Sequence, residues 1–238
     1  MKIAAVVPAF NEEKAIAGVV SDLQQVAVQN ALSLDVIVVN DCSTDRTQEV
    51  VSGLNCIALH LPVNLGIGGA MQTGFRYAWE QGYDLALQVD GDGQHPAEEI
   101  VKLLAAQRER HLDVVIGSRF LEKKGFQSSG MRRTGIGYFR KLNRLLCGLD
   151  ITDSTSGFRL LSRRALELVS EYYPDEYPEP EAIILFAEND LSVGETPVTM
   201  RDRQGGRSSI GPFASVYYMW KVTLGILFTF IRVKNKVR

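Results

Sequence analysis

Short, continuous apolar runs constrain the fold of this chain more than any other feature of its sequence. Five such runs are rich in β-branched residues, and they occupy 3–7, 36–39, 57–61, 85–89 and 114–116. Each run is the length of a strand and lacks the alternation of a half-buried one, so burial on both faces is expected. Helical patterns lie between the runs, near 13–29, 44–52, 67–81 and 97–109. This alternation predicts an α/β, Rossmann-like domain whose mostly parallel sheet carries helices on both faces.

The alternation weakens after Gly117. A loop containing Lys123 and Lys124 is followed by a basic helical stretch at 131–147, and 193–200 resembles a strand that returns to the sheet. We therefore expect one domain over residues 1–209. Residues 1–117 form its nucleotide-binding half and 118–209 its acceptor-binding half. Residues 210–238 form a separate apolar and basic tail.

Composition and cysteine content indicate an intracellular globular protein. Hydrophobic residues make up 45% and charged residues 23%, as in ordinary globular domains. The three cysteines are odd in number and include no C-x-x-C pair, which favours a reducing compartment. The N-terminal apolar run lacks the charge pattern of a signal peptide. We expect a cytoplasmic protein on the inner face of a membrane.

Charge is distributed unevenly along the chain. All 28 acidic residues precede Arg203, whereas the stretch from Arg203 to the C-terminus contains seven Lys or Arg. A basic tail is typical of proteins that bind nucleic acid or anionic membranes. Because this tail also holds a long apolar run, we expect a membrane surface as its partner and no nucleic acid.

Two carboxylates follow the fourth predicted strand. Asp90 and Asp92 stand two residues apart at the carboxyl end of this strand, where open parallel sheets bind their ligands. Carboxylates and substrate phosphate oxygens are the ligands that Mg²⁺ or Mn²⁺ prefers, and Gln94 can supply a further oxygen. The alternative is a turn in which Asp and Gly only shape the backbone.

The first two predicted strands also end in polar residues. Pro8, Phe10 and Glu12 follow the first strand, and Asp41 follows the second. Carboxylates at such positions can accept hydrogen bonds from a nucleotide base or from ribose hydroxyls. For Glu13 and Asp45 we favour a helix-capping role instead.

Seven strings in this sequence resemble the glycosyltransferases of family 2 with the GT-A fold, and within them the dolichyl-phosphate mannosyltransferase-like branch. The strings are VVPAFNEE, VVNDCSTDRT, NLGIGGA, DGDGQHP, GSRF, DSTSGFR and RDRQGGRSSI. They stand in the family's order and span residues 6 to about 210. The resemblance implies a metal-dependent hexosyltransferase that moves a sugar from a nucleotide-diphosphate donor to a polyprenyl phosphate, with inversion.

The resemblance also implies roles for individual residues. The nucleotide-sugar would be bound by Pro8, Phe10, Glu12, Asp41, Gly66 and Asp90. The metal would be bound by Asp90, Asp92 and Gln94. The catalytic and acceptor-phosphate groups would be Asp92, Arg119, Arg133, Arg203 and Arg207. This branch often has a lysine after the serine in the string that occupies 206–209 here. We expect Arg207 to supply that charge instead.

The choice of acceptor determines whether a general base is needed. A lipid phosphate is already anionic at neutral pH and needs only positioning, for which arginines are available. A sugar hydroxyl needs a base, and Glu181 or Glu179 is the candidate for this alternative.

Two other functional classes have weaker support in the sequence. The string from Gly66 to Met71 is similar to a dinucleotide-binding fingerprint, but it ends in Met71 and follows the third strand rather than the first. An oxidoreductase is therefore disfavoured. A nucleotide-binding protein without catalysis remains as the second alternative.

The apolar run at 212–231 is about as long as a membrane span. Lys221 at its midpoint would cost ~2.5 to 3.5 kcal/mol on insertion, and spanning would place the terminal basic residues on the far side. A polar stripe comprises Tyr218, Lys221, Gly225, Thr229, Arg232 and Lys236. We therefore expect a helix lying in the membrane plane, with Trp220 and the tyrosines at the headgroups. The alternatives are a helix packed on its own domain or on a membrane-protein partner.

Overall fold

The computed structural model describes residues 1–122, 130–175, 177–201 and 212–236, without the side chains of 130–134, 136, 212–218 and 233–236. Its strands are β1 (Lys2–Ala9), β2 (Ser33–Asn40), β3 (Ile57–His60), β4 (Leu85–Gln88), β5 (Val114–Ser118), β6 (Arg159–Ser162) and β7 (Val193–Pro197). Its helices are α1 (Ile16–Gln29), α2 (Thr47–Ser52), α3 (Gly66–Glu80), α4 (Ile100–Arg110), α5 (Gly130–Cys147), α6 (Arg163–Glu171), α7 (Pro178–Ala187) and α8 (Pro212–Lys236).

The strands form one sheet in the order β3-β2-β1-β4-β6-β5-β7. The pairs among β1 to β4 are parallel, and so is the pair of β5 with β7. β6 runs antiparallel to both of its neighbours, β4 and β5. The mostly parallel sheet is therefore confirmed, as is the return of 193–197 to it. The sequence did not predict β6, because its four residues show no periodicity of their own.

Helices cover both faces of the sheet. Ala5 and Val7 of β1 belong to one buried cluster, together with residues of α1 and α4, while Ala4 and Val6 belong to a second cluster with α3, α6 and α7. Successive side chains of a strand point to opposite faces, so a strand between two helical layers is apolar at most of its positions. This requirement explains the continuous runs in the sequence.

Helix α8 packs on its own domain. Val222 and Ile226 join Phe139 of α5 and Ile184 of α7 in a third buried cluster. Within the described residues, no helix is long and apolar enough to cross a membrane. One face of this helix therefore packs on its own domain, which was one of the alternatives for the tail.

Two members of the polar stripe predicted on α8, Gly225 and Thr229, lie against the domain. Thr229 donates a 3.4 Å hydrogen bond to Oε2 of Glu181 on α7, and a Cβ at Gly225 would collide with the same carboxylate. The opposite face is apolar and open, with Trp220 67%, Phe228 66% and Ile231 54% exposed. The small residues Gly225 and Thr229 leave room for the Glu181 carboxylate, which explains why this part of the stripe faces inward.

The glycine-rich string serves the start of α3. Gly66 has φ +76°, and the N–H of Gly68 donates a 2.9 Å hydrogen bond to the carbonyl of Asp175. A Cβ at Gly68 would overlap the backbone of Pro174 and Asp175. The close approach of two backbones therefore explains Gly68 without a dinucleotide.

A buried ion pair joins the end of β5 to the segment before β6. Arg119 donates from Nε and from a terminal guanidinium nitrogen to the two carboxylate oxygens of Asp153, both at 2.7 Å. Burial alone would lower the pKa of Arg119, but the hydrogen bonds and charge of Asp153 raise it. An exposed pair of the same geometry joins Arg140 to Asp150.

We predict that Gly68→Ala destabilises the protein by ~1 to 3 kcal/mol, because the added methyl group must displace backbone. Gly18→Ala is the control, since it lies within α1 and a Cβ there would meet nothing within 4 Å. That change should be neutral or stabilising by up to ~1 kcal/mol. Urea unfolding measures both effects. Equal stability of the two variants would contradict the close approach of the Gly68 backbone to residues 174 and 175.

The two ion pairs give a second comparison. Asp153→Asn should lower the free energy of unfolding by ~3 to 5 kcal/mol, because the buried guanidinium of Arg119 keeps its charge and loses its partner. Asp150→Asn should cost no more than ~1 kcal/mol, because the exposed guanidinium of Arg140 is solvated instead. If chemical denaturation showed similar losses of stability for the two variants, burial would not determine the energetic contribution of the Arg119–Asp153 pair.

Candidate functional site

A cleft of about 510 Å³ opens at the carboxyl ends of β1, β2 and β4. Its walls come from the loops that follow these strands, from the start of α3, from the segment before β6 and from the first turn of α7. The residues that line it are Pro8, Ala9, Phe10, Glu12, Asp41, Asn64, Gly66, Ile67, Ala70, Asp90, Gly91, Asp92, Thr155, Gly157 and Glu179. All six residues that the sequence predicted for nucleotide-sugar binding are among them.

Asp41 connects the end of β2 to the start of α3. Its Oδ1 accepts a 2.7 Å hydrogen bond from the N–H of Leu65, and its Oδ2 accepts one of 2.9 Å from the N–H of Gly66. The residue is buried, yet it lines the cleft. Since each carboxylate oxygen can accept two hydrogen bonds, Asp41 can hold α3 in place and also accept from a ligand.

The loops after β1 and β2 are hydrogen-bonded to each other. Asn11 has φ +59°, and its Oδ1 accepts a 2.8 Å hydrogen bond from the N–H of Thr44. The N–H of Glu12 donates to Oγ1 of Thr47 at 2.8 Å. Asp45 accepts from the N–H of Thr47 at 2.9 Å, which matches the structural role favoured for it. These contacts fix the position of Glu12, while Phe10 stays 48% exposed at the rim.

Asp90 and Asp92 stand together in the cleft wall after β4. Oδ1 of Asp92 accepts a 3.0 Å hydrogen bond from the N–H of Gln94, which holds the turn. Gly157 lies directly over Asp90, where a Cβ would come within 2.9 Å of Oδ1. Because Gly157 carries no side chain, the position beside Asp90 stays open. The two carboxylates supply hard oxygen ligands that suit Mg²⁺ or Mn²⁺ shared with a diphosphate. Among the described residues, no group of three or more His, Cys, Asp or Glu forms a metal-binding cluster.

His95 supports the Asp90 turn, a role that the sequence did not indicate. Its buried ring stacks on Phe158 with centroids 4.9 Å apart, and its Nδ1 accepts a 3.1 Å hydrogen bond from the N–H of Asp90. Burial lowers the pKa of His95 to about 4. The imidazole is therefore neutral at pH 7, which leaves Nδ1 free to accept.

Glu179 and Glu181 occupy different surroundings, although the sequence offered both as a base. Glu179 lines the cleft, and its Oε1 accepts a 3.3 Å hydrogen bond from Nε2 of Gln88. Burial raises the pKa of Glu179, with Arg159 opposing and Asp90 adding to this effect. The carboxylate of Glu181 instead faces α8. The structure therefore favours Glu179 as the carboxylate available to a ligand.

The predicted arginines are only partly described. Arg119 is buried behind the cleft wall, where it donates to Asp153 and, at 3.1 Å, to Oγ1 of the lining residue Thr155. A contact of Arg119 with a phosphate stays a prediction. Arg133 lies on α5 but its side chain is not described, and Arg203 and Arg207 lie outside the described residues. Gln94 follows the acidic pair, and its carbonyl accepts from the N–H of Arg201 at 3.0 Å.

Sequence reasoning missed several lining residues. Asn64 holds the carbonyl of Asp41 with a 3.1 Å hydrogen bond from Nδ2, and Thr155 and Gly157 form the wall opposite α3. All three lie within strings that carry the family resemblance. Their place within these strings was the available signal, because their residue types alone indicate no particular chemistry.

The fold is shared with solved glycosyltransferase structures. Mannosyl-3-phosphoglycerate synthase from Rubrobacter xylanophilus superposes with a TM-score of 0.75 at 15% identity, covering 100% of this chain and 75% of that one. Glucosyl-3-phosphoglycerate synthase from Mycobacterium tuberculosis, crystallised with Mn²⁺, UDP-glucose and glycerol 3-phosphate, gives a TM-score of 0.70 at 17% identity, covering 98% and 79%. At these identities the likeness establishes the fold.

Sequence comparisons give the family. UDP-N-acetylglucosamine–dolichyl-phosphate N-acetylglucosaminyltransferase of Methanococcus voltae is 33% identical over 213 residues, 81% of this chain and 83% of that protein. Undecaprenyl-phosphate mannosyltransferase of Micrococcus luteus is 28% identical over 219 residues, 88% of each chain. The family described as "Glycosyl transferase family 2" matches residues 4–169, more than half of the chain. The chain therefore belongs to glycosyltransferase family 2.

Proposed function

We propose that this protein is an inverting glycosyltransferase that moves a sugar from a nucleotide-diphosphate donor to a polyprenyl phosphate at the cytosolic face of a membrane. The observation that carries the proposal is the pairing of Asp90 with Asp92 in a cleft that also contains Glu12 and Asp41. The names of the relatives in Methanococcus voltae and Micrococcus luteus support the acceptor class.

The cleft offers a different surface to each part of the donor. Phe10 provides an aromatic surface for the base, and Glu12 and Asp41 provide acceptors for base N–H groups or ribose hydroxyls. The diphosphate then lies at Asp90 and Asp92, which with Gln94 would hold Mg²⁺ or Mn²⁺. The Mn²⁺ and UDP-glucose bound by the synthase of similar fold support this arrangement.

The reaction is a single displacement at the anomeric carbon of the sugar. An oxygen of the lipid phosphate forms the new bond to this carbon. The bond to the nucleoside diphosphate breaks, and the departing oxygen keeps the electron pair. A bound divalent cation would stabilise the negative charge that develops on that leaving group. One displacement from the opposite face inverts the anomeric configuration.

A phosphate acceptor needs positive charge more than it needs a base. Arg133, Arg203 and Arg207 belong to the proposed acceptor-binding half of the sequence and would supply cations there, because arginine suits phosphate through bidentate hydrogen bonds. Glu181 faces α8, which weakens its candidacy as the base for a hydroxyl acceptor. The saccharide-hydroxyl alternative therefore depends on Glu179.

Helix α8 is proposed as the surface that meets the membrane. Its outward face is an apolar stripe that includes Trp220, Phe228 and Ile231, while its inward face packs on α5 and α7. A helix held in this way can lie in the membrane plane with aromatic side chains among the headgroups. The comparisons give no support for the alternative of a membrane-protein partner.

A donor and acceptor screen tests the function. With polyprenyl phosphate and Mn²⁺ present, one of the UDP-, GDP- or dTDP-sugars should release its nucleotide, and unphosphorylated polyprenol should not replace the lipid phosphate. Asp92→Ala should reduce transfer by ~10² or more while its melting temperature stays close to that of the parent protein. Equal use of polyprenol or a free saccharide would favour the hydroxyl-acceptor alternative. Near-normal turnover of Asp92→Ala in chelator would contradict the metal site.

The relative effects of two variants test the acceptor chemistry. Arg203→Ala should slow transfer by ~10² or more, because it removes a charged contact to phosphate. Glu181→Gln should keep most of the rate. The opposite order of the two rates would contradict a phosphate acceptor prepared by arginines.

Liposome flotation tests the membrane surface. The full-length protein should float with anionic vesicles, and replacing Trp220 and Phe228 by Ser should reduce partitioning by ~10² or more, since burying each large apolar side chain contributes ~1.5 to 3 kcal/mol. Replacing the exposed Val28 and Val63 by Ser is the control and should have little effect. Protein that stays soluble, or a Trp220 and Phe228 variant that floats normally, would contradict the proposal.

A further inference from the structure

Hydrogen bonds from one buried arginine hold the first turn of α7 against the cleft. The buried guanidinium of Arg159 donates to the backbone carbonyl of Glu179 at 2.7 Å, and it also donates to the carbonyls of Ser154 at 3.1 Å and Ser156 at 2.8 Å. One side chain on β6 therefore ties α7 to the segment that contributes Thr155 and Gly157. The backbone of Glu179 is fixed relative to the wall that it faces.

A chain of buried side chains orients the carboxylate of Glu179. The hydroxyl of Tyr173 donates to Oε1 of Gln88 at 3.2 Å, and Nε2 of Gln88 donates to Oε1 of Glu179 at 3.3 Å. An amide oxygen only accepts and an amide nitrogen only donates. The Glu179 carboxylate only accepts, so it selects the amide nitrogen of Gln88, and the Tyr173 hydroxyl donates to the amide oxygen that remains. Burial raises the pKa of Tyr173, which keeps its hydroxyl protonated and able to donate.

The same network adjoins the acidic pair. Gln88 precedes Asp90 by two residues, and a Cβ at Gly157 would come within 3.3 Å of Nε2 of Gln88 and 2.9 Å of Oδ1 of Asp90. Glu179, Gly157 and Asp90 therefore share one region of the cleft, while Asp41 and Asn64 interact with each other at the start of α3. With the nucleoside near Asp41 and the diphosphate at Asp90, the region beside Glu179 is left for the sugar.

We propose that Glu179 accepts hydrogen bonds from hydroxyl groups of the donor's sugar and so selects which sugar is transferred. Gln88 and Tyr173 act as positioning residues for this carboxylate. The inference rests on the proposed function, because it takes the donor to be a nucleotide-sugar with its diphosphate at Asp90 and Asp92.

The chemistry of the group fits this role. Ring hydroxyls donate hydrogen bonds, and a carboxylate accepts them without needing a proton of its own. A partly desolvated carboxylate left without its hydroxyl is penalised, so such a site rejects an analogue that lacks the hydroxyl. We expect the parent protein to bind one or two deoxy analogues of its sugar ~10² or more less tightly.

Calorimetry with Mn²⁺ compares the affinity for the nucleotide-sugar, its deoxy analogues and the bare nucleoside diphosphate. Glu179→Gln should lose the discrimination between the nucleotide-sugar and the deoxy analogues while its affinity for the nucleoside diphosphate stays within about twofold of the parent value. Tyr173→Phe keeps the buried ring and should lose part of the discrimination. Glu188→Gln, the same substitution at the other end of α7, should change neither affinity.

The outcomes separate this inference from the proposed function. Glu179→Gln that discriminates as the parent does would overturn the sugar contact. Equal loss of affinity for the bare nucleoside diphosphate would also overturn it, because the residue would then support the metal turn. If no lipid phosphate accepts the sugar, the proposed function fails. The sugar contact still stands if the parent protein discriminates against the deoxy analogues and Glu179→Gln does not.

Discussion

Five carboxylates share one cleft of about 510 Å³, and the rest of the site follows from how their mutual repulsion is relieved. Glu12, Asp41, Asp90, Asp92 and Glu179 line the cleft, whereas its described lining residues include no Lys or Arg. Backbone N–H groups satisfy Asp41 and part of Asp92, and an amide serves Glu179. Asp90 and Asp92 stand two residues apart in the cleft wall, and a divalent cation bound there would neutralise negative charge on both. Without that cation, the cleft would repel the diphosphate that we propose it binds.

Much of the fold was readable from the sequence because a parallel sheet leaves a strong pattern. Strands between two helical layers are largely apolar, which marked β1 to β5. Parallel strands bring their carboxyl ends to one edge, which brought together Pro8, Asp41 and Asp90. β6 was not predicted because only Leu160 and Leu161 are apolar in it, and its place between β4 and β5 depends on pairing with residues far away in the sequence. Pairing of that kind leaves no local signal.

Side-chain direction was the part that the sequence could not supply. Glu179 and Glu181 are two residues apart on the first turn of α7, and residues at that spacing do not share a helix face. Only the packing of α7 determines which one faces the cleft and which faces α8. Within the stripe predicted on α8, the small residues Gly225 and Thr229 pack against α7, which the sequence pattern alone did not indicate.

The first turn of α7 therefore connects the proposed donor site to the helix that is proposed to meet the membrane. Glu179 lies in the cleft, and Glu181 contacts the helix whose outer face is proposed to meet the lipid surface. The proposed donor site and the proposed membrane-facing helix thus share one helix as support. Such an arrangement suits an enzyme whose donor is soluble and whose acceptor is carried by a lipid.

The central claim is that a divalent cation links the Asp90 and Asp92 pair to the donor diphosphate. Isothermal titration of nucleoside diphosphates in Mn²⁺ and in chelator measures this link directly. The account predicts that one nucleoside diphosphate binds at least ~10-fold more tightly with Mn²⁺, a gain of ~1.4 kcal/mol or more, and that Asp92→Asn removes the gain. Equal affinity in Mn²⁺ and in chelator, or a gain that persists in Asp92→Asn, would contradict it.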